Sequence, residues 1–209
     1  MARRPATKPR KHAAQARSRA TVDALVDATA RILVREGFDK ASTNRIAQVA
    51  GVSVGSLYQY FPGKEALVVA VAQRHSAELM RVVHGELARV AALPLDQGIA
   101  ALVAAAVTAH RVDPELHRVL AEEIPRVGAL QEVGTFNRDN YALFAGYLAH
   151  HRNEIGVDDL GLAAFVGMTT IEALTHSAVL HHPEVLADDA MDAFIGEATR
   201  LVTGYLSSR

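Results

Sequence analysis

Apolar positions recur at helical spacing over most of the chain. From Thr21 onward, the side chains at positions 22, 25, 26, 29, 32 and 33 follow the i, i+3, i+4, i+7 spacing of one helix face. Gly37 comes next, at a position where a helix typically ends in the left-handed conformation. The spacing therefore predicts a first helix that ends at Gly37.

Capping signals divide the next segment into three more helices. Ser42 or Thr43 can cap the second helix, because a short hydroxyl side chain accepts a hydrogen bond from a free N–H of the first turn. Residues 61–63, Phe-Pro-Gly, interrupt the chain before the fourth helix. The second helix is expected to end at about Ala50. The third is expected from Ser53 to near Tyr60, and the fourth from Lys64 to about His84.

The remaining two thirds of the chain consist of long runs rich in Ala, Leu and Val. Proline or glycine separates these runs at positions 94, 114, 125, 156 and 183. Helices are expected over residues 95–111, 114–124, 126–153, 157–181 and 187–207. No run alternates apolar and polar residues between Asn-Gly or Asp-Gly turns, so nothing indicates a sheet. The sequence predicts an all-α fold of about nine helices.

The second and third predicted helices contain the residues that a helix-turn-helix requires. Ala47 is small enough for the helices to approach, and Gly51 can adopt a positive φ in the tight turn. The expected inward residues are Ile46, Ala50, Val52 and Leu57. The residues left facing outward on the third helix are Val54, Gly55, Ser56, Tyr58 and Gln59. Such a helix can lie in a DNA major groove, where glutamine pairs with adenine, although an ordinary αα-hairpin has a similar local pattern.

The distribution of charge supports a nucleic-acid interaction. The formal net charge is only −1, yet residues 1–64 contain twelve Lys or Arg against four acids, a net charge of +8. The other 145 residues then have a net charge of −9. Such a division is typical of a polyanion-binding head on an acidic body, and a basic tail that aids solubility is the alternative. Residues 1–20 are basic, lack acids and are predicted to form a disordered arm.

Composition excludes several classes of protein. The chain has 209 residues, half of them apolar, which is enough for a sizeable core. It contains no cysteine, so disulfides, thiolate zinc sites and cysteine nucleophiles are excluded, and a cytoplasmic location is expected. The longest unbroken apolar run, from Ile99 to Val107, is far shorter than the roughly 18 residues of a membrane span. No membrane segment or secretion signal is expected.

Residues 42 to 67, "STNRIAQVAGVSVGSLYQYFPGKEAL", resemble the DNA-binding signature of the TetR family of bacterial transcriptional regulators. With the first helix, the resemblance covers about a fifth of the chain, and the body resembles the family in its architecture. The resemblance implies a helix-turn-helix domain over residues 21–66 and an effector-binding and dimerisation domain over residues 67–209. It also implies a homodimer that pairs through its last two helices and binds a palindromic operator in double-stranded DNA.

The resemblance also implies DNA-contacting residues. Thr43 is expected to contact phosphate, with Asn44 beside it at a base or the backbone, and Lys64 is expected to grip phosphate at the start of the fourth helix. Tyr58 and Tyr60 match positions that contact the backbone and thymine. The full expected set is Thr43, Asn44, Ser53, Val54, Gly55, Ser56, Tyr58, Gln59, Tyr60 and Lys64.

Polar groups within the apolar helices of the body suggest a cavity for an unknown small-molecule effector. The candidate lining residues are Asn137, Tyr141, Phe144, Phe165, Met168, Thr169, Glu172 and His176. Each of them also suits an ordinary core or surface position. The ten histidines form no compact group with acids on one helix face, so neither a metal nor a cofactor is expected.

Two classes of function remain. One is a homodimeric, ligand-responsive transcriptional regulator, most often a repressor by resemblance, with a constitutive regulator or an activator as the alternative. The other is an α-helical enzyme or carrier with a basic head. The sequence contains no Ser/His/Asp or Cys/His motif, no phosphate-binding GxxxxGK[ST] loop and no carboxylate-rich metal motif. No catalytic residue is therefore assigned, and the regulator is favoured.

Overall fold

The computed structural model describes residues 16–128, 141–187 and 189–208. Nine α-helices are present in these ranges and no strand, so the expected all-α fold is confirmed. The helices are α1 Ala16–Glu36, α2 Thr43–Ala50, α3 Val54–Tyr60, α4 Lys64–Val90, α5 Leu95–His110, α6 Pro114–Arg126, α7 (described over 141–150), α8 Leu160–His181 and α9 Met191–Ser207. Short 3-10 turns lie at Phe38–Lys40, Arg152–Glu154 and Pro183–Leu186.

The first helix begins earlier than its apolar spacing predicts. The basic arm was expected to include residues 1–20, but residues 16–20 form the first turns of α1. Alanine and arginine have high intrinsic helix propensity, so the helix extends past its apolar face into this polar segment. Residues 1–15 lie outside the described ranges.

Proline at position 125 does not end α6 where the sequence suggested. The helix continues to Arg126, with Pro125 as its second-last residue. A proline so close to the end removes one backbone hydrogen bond, whereas the same residue mid-helix would disrupt the following turns as well. Gly128, with φ of 69°, follows the helix in a conformation that favours glycine.

The first of two compact units consists, among the described residues, of residues 16–76 and 115–128. Its core joins side chains of α1, α2, α3 and the start of α4, with Leu25, Ile46, Leu57 and Leu67 fully buried. Helix α6 adds three core residues, Leu116, Leu120 and Ile124, and Val127 follows directly after it. The unit therefore extends beyond residue 66, the boundary expected for the DNA-binding domain, and includes a helix that is distant in sequence.

The second unit consists of residues 77–114, 141–187 and 189–208 as described. Helices α5, α8 and α9 pack against one another around a core that includes Ile99, Leu148, Ala164 and Val202. Two glycines allow close approach. A Cβ on Gly98 of α5 would overlap the Tyr147 hydroxyl, and a Cβ on Gly167 of α8 would lie 3.1 Å from the Phe144 ring. Gly98 has no room for a Cβ beside the Tyr147 hydroxyl as it stands, and a Cβ at Gly167 would require the Phe144 ring to shift slightly.

Helix α8 is long and apolar enough to cross a membrane, judged by length and composition alone. Within the second unit, however, its small residues Ala163, Ala164 and Gly167 are buried in contacts with neighbouring helices. A core helix of a helical protein can have the same composition as a membrane span. Packing in the second unit accounts for the apolar character of one face of α8, while Leu162 and Phe165 on its other face are about half exposed.

Candidate nucleic-acid interface

The turn between α2 and α3 is held by local backbone and side-chain hydrogen bonds. The Ser42 hydroxyl accepts from the Arg45 N–H at 3.2 Å and caps α2, so Ser42 rather than Thr43 is the cap. Gly51 has φ of 69°, and the N–H groups of Gly51 and Val52 donate to Gln48 and Ala47 in a Schellman arrangement. The Ser53 hydroxyl then caps α3 by accepting from the Ser56 N–H at 3.0 Å.

Packing buries Ile46 and Leu57, which were expected to face inward, but Val54, expected to face outward, also packs against the core. Ile46, Ala47 and Leu57 are almost completely buried against α1 and α4. Burial of these three side chains leaves the opposite face of α3 in solvent, where Gly55, Tyr58 and Gln59 are exposed. The geometry is that of a short, exposed helix held rigidly by the one before it.

Gly55 is not required by the packing of the protein itself. A Cβ at this position would meet only the Ser53 hydroxyl, at an ordinary 3.8 Å. Glycine inside a helix costs about 0.5–1 kcal/mol relative to alanine. Because nothing within the described structure explains that cost, the position suits close approach by another molecule.

Hydrogen bonds join several of the predicted DNA-contacting side chains to each other. The Thr43 hydroxyl of α2 lies 3.1 Å from the Tyr58 hydroxyl of α3. The hydroxyls of Ser53 and Ser56 lie 2.8 Å apart. Asn44 and Ser53 are exposed, while Thr43, Val54 and Ser56 are half-buried. The structure thus brings Thr43, Tyr58, Ser53 and Ser56 together near one surface, whereas Val54 packs against the core.

Tyr60 occupies a different position from the one expected. Its side chain is only 8% exposed and belongs to the core of the first unit. Tyr60 follows Leu57 by three residues, which places both side chains on the buried face of α3. Most of its ring therefore contributes to the core, and a thymine contact is not supported by this position.

Lys64 opens α4, as predicted, but its ammonium group contacts the protein. Nζ donates to the Phe38 carbonyl at 3.1 Å and lies 3.9 Å from the centroid of the Phe38 ring. Phe38 begins the 3-10 turn that leads from α1 to α2. Lys64 therefore holds the segment that precedes the cap of α2, a role that the sequence did not reveal.

Arg45 is an exposed cation on α2, outside the predicted set of DNA-contacting residues. Its guanidinium donates to Glu36 Oε1 at 2.8 Å and to Gln48 Oε1 at 3.4 Å. The hydrogen bond from Arg45 lowers the pKa of the Glu36 carboxyl below its ordinary value, and Glu36 raises the pKa of Arg45. The identities of the two residues give no signal of this pairing, because they are nine positions apart on separate helices.

The predicted effector residues lie on α7 and α8 in the second unit, except Asn137, which lies outside the described residues. The Tyr141 hydroxyl is 3.4 Å from the Thr169 hydroxyl, and its ring centroid is 5.5 Å from that of Phe165. Phe144 is buried, whereas Met168, Thr169 and His176 are half-buried. The structure therefore brings only part of the set together.

Phe165 and Glu172 are on the surface of the second unit, contrary to the expectation that they line a cavity. The Phe165 side chain is 49% exposed, and the Glu172 side chain also reaches the surface. Their spacing places both on the outer face of α8, away from its buried Ala163, Ala164 and Gly167. Apolar surroundings nevertheless raise the pKa of Glu172 and lower the pKa of His176. Among the described residues, no three His, Asp or Glu side chains are placed to hold a metal ion.

Two family models match different parts of the chain. The model for bacterial regulatory proteins of the tetR family matches residues 25–71, which include α2, α3 and the turn between them. The model described as tetracyclin repressor-like, C-terminal domain, matches residues 94–206. No curated protein sequence is similar enough to count as a match.

Solved structures share the fold at low sequence identity. A protein of Mesorhizobium loti MAFF303099 assigned to the TetR-family transcriptional regulators is 20% identical with a TM-score of 0.72, over 91% of this chain and 98% of that one. The fatty acid degradation regulator FadR of Bacillus halodurans is 19% identical with a TM-score of 0.69, over 90% and 97%. A protein of Pseudomonas aeruginosa PAO1 assigned as a transcriptional regulator is 25% identical with a TM-score of 0.71, over 90% of each chain.

Proposed function

Because the chain belongs to the TetR family of DNA-binding transcriptional regulators, we propose that it is a homodimeric repressor whose hold on DNA is released by a small molecule. In this proposal the first unit binds a palindromic operator, and the second unit binds the effector and the partner subunit. The protein acts in the cytoplasm and catalyses no reaction. The exposed face of α3 is the observation that carries the DNA-binding assignment.

Contacts with DNA are assigned from the surface that α2 and α3 form together. Gln59 is exposed on α3 and can pair with an adenine edge in the major groove. A Cβ at Gly55 would meet only the Ser53 hydroxyl, at 3.8 Å, and the absence of a side chain there allows the backbone of α3 to approach the bases. The hydroxyls of Thr43 and Tyr58 lie beside each other, and in this proposal both contact phosphate at the groove edge.

Dimerisation is assigned to the outer faces of α8 and α9. Leu162 and Phe165 of α8 and Leu201 of α9 are each about half exposed, although they are large apolar side chains. Exposed apolar side chains grouped on adjoining helices typically mark an interface. Helices α8 and α9 pack against each other in the second unit, so a second copy of the chain can cover both faces at once.

Selection from a random library of duplexes tests the proposal. The full-length protein should enrich a palindrome whose half-sites are centred about 34–36 Å apart, one turn of DNA. The same selection with the Gly55→Leu variant is the control. Leucine at this exposed position would keep α3 away from the bases without disturbing the core. Enrichment of no sequence, or of a single half-site, would contradict the homodimeric regulator.

A further screen tests the ligand response. Small apolar and amphipathic compounds that raise the melting temperature are tested for release of the selected operator. A compound that binds the second unit and weakens operator affinity supports the repressor model. If every stabilising compound leaves operator affinity unchanged, the protein is a constitutive DNA-binding regulator.

A further inference from the structure

Two buried polar atoms in the second unit lack a hydrogen-bond partner among the described residues. They are the hydroxyl of Tyr147 and Nε2 of His151. Each side chain is only 7% exposed, and their ring centroids are 4.7 Å apart. Four residues separate them along α7 and its last turn, so they face the same side. Buried polar groups are normally paired, so two adjacent unpaired atoms mark a place where a further polar group can bind.

The hydrogen bonds around His151 fix which of its nitrogens carries the proton. Nδ1 lies 2.8 Å from Glu154 Oε1, and Glu154 Oε2 accepts from the Leu95 N–H at 3.0 Å. These two hydrogen bonds lower the pKa of the Glu154 carboxyl, which therefore stays ionised and acts only as an acceptor. Nδ1 must be the donor. In the neutral ring, Nε2 is then an acceptor that faces the protein interior.

Tyr147 supplies the complementary hydroxyl. Burial, together with the negative charges of Glu154 and Asp96, raises the pKa of Tyr147 to about 12, so the phenol keeps its proton. Its ring stacks on Phe144 and its hydroxyl lies against α5, where residue 98 is glycine. Tyr147 and His151 thus present one donor and one acceptor within an apolar core.

We propose that Tyr147 and His151 bind a neutral hydroxyl group, which accepts from the Tyr147 hydroxyl and donates to His151 Nε2. The group belongs to an alcohol or phenol effector, or to a water molecule that takes its place. An anion is disfavoured because it would approach the Glu154 carboxylate and cannot donate to Nε2. A cation would lose its hydration in an apolar core. We call binding of an alcohol or phenol the effector form of this inference and binding of water the water form. The effector form rests on the proposed ligand response.

Titration calorimetry with the full-length protein tests the effector form, with phenol as the probe and toluene as its hydroxyl-free counterpart. Phenol should bind saturably and at least tenfold more tightly than toluene. Tyr147→Phe should remove that preference. Tyr205→Phe, which deletes a hydroxyl of α9, is the control and should change phenol affinity less than twofold. Loss of phenol binding in Tyr141→Phe with retention in Tyr147→Phe would place the ligand at the sequence-predicted residues and overturn the inference.

Thermal denaturation and a crystal structure of the unliganded protein test the water form. If a bound water pairs both atoms, Tyr147→Phe should lower the melting temperature by about 2–4 °C, and density should lie within hydrogen-bond distance of both atoms. If the Tyr147 hydroxyl is unpaired, Tyr147→Phe should leave the melting temperature unchanged or raise it, because a buried polar group without a partner is removed. That result, with phenol binding absent or unaffected by Tyr147→Phe, overturns the proposal.

The ligand response is measured separately. An effector that releases the operator equally well from wild type and Tyr147→Phe would leave the repressor proposal intact and exclude this site as its binding site. Conversely, phenol that binds at Tyr147 without affecting the operator would establish the site and leave the repressor proposal without support from it.

Discussion

Gln59 and Lys64 are five residues apart, yet their side chains have different environments. The Gln59 side chain is exposed on α3, while the Lys64 ammonium contacts both the carbonyl and the ring of Phe38. An exposed amide near the end of a recognition helix is available for a base edge. An ammonium group that already has protein partners contributes to the stability of the DNA-binding head as well.

Gln59→Ala should weaken binding to the preferred operator by about 1–3 kcal/mol per half-site, because a bidentate contact with a base would be lost. Affinity for scrambled duplex should stay nearly constant. Binding titrations against both duplexes measure the difference, and Gln97→Ala, an exposed glutamine of α5, is the control. Equal weakening on both duplexes would mean that Gln59 does not read a base.

Lys64→Ala should lower the free energy of unfolding of the DNA-free protein by about 1–2 kcal/mol, because a hydrogen bond and a cation–π contact are both lost. Chemical denaturation measures this, and Lys40→Ala is a control that removes an exposed charge nearby. A phosphate contact would appear separately, as a reduction of the salt slope of DNA binding by roughly 0.9 per subunit. An unchanged stability with a reduced slope would show that phosphate binding is the main role of Lys64.

Two kinds of glycine shape the helices. Gly98 has no room for a side chain because the Tyr147 hydroxyl occupies the space beside α5. Gly85, in α4, has open space around it. The same change to alanine therefore has opposite consequences for the two helices, since helix propensity favours alanine at both positions and packing opposes it at one.

Gly98→Ala should destabilise the protein by about 1–2 kcal/mol, whereas Gly85→Ala should stabilise it by up to about 1 kcal/mol. Denaturation midpoints of the two variants measure these effects. Combining Gly98→Ala with Tyr147→Phe should recover part of the loss, because the overlapping hydroxyl is removed. A stable Gly98→Ala variant would show that α5 and α7 can separate without cost.

Exposed apolar side chains on α8 and α9 are the feature of the fold that favours association with a second subunit. Leu201 is 56% exposed on the helix whose other face buries Ala198, Val202 and Leu206. A helix that is apolar on more than one side is stable when both sides are covered. The second side has no covering element within the described residues, and a partner subunit would supply it.

Leu201→Arg should convert the dimer into monomers, because a charge would be buried at the interface. Val112→Arg is the matched control, since Val112 is 76% exposed in the loop that follows α5. Light scattering after size-exclusion chromatography measures the mass, and circular dichroism checks that the variant is folded. A folded Leu201→Arg dimer with wild-type operator affinity would contradict the assignment of the interface.

The sequence by itself determined the helix-turn-helix and the bounds of its two helices, whereas α4 extends to Val90, past its expected end near His84. Ser42, Gly51 and Ser53 form hydrogen bonds or turns with residues at most five positions away, so their local sequence is sufficient. The charge division between head and body is equally a property of sequence. The family resemblance, carried by the same short segment, is confirmed by matches on both parts of the chain.

Only the tertiary structure decided which side of each helix is covered. Lys64 meets Phe38 across 26 positions, Tyr60 joins a core, and Phe165 remains exposed on an apolar helix. The burial of the Tyr147 and His151 pair is equally invisible in the sequence, because it depends on how closely other helices, α5 among them, approach α7. Helical periodicity identifies a face through interactions within a few residues, whereas burial depends on packing against helices that are distant in sequence.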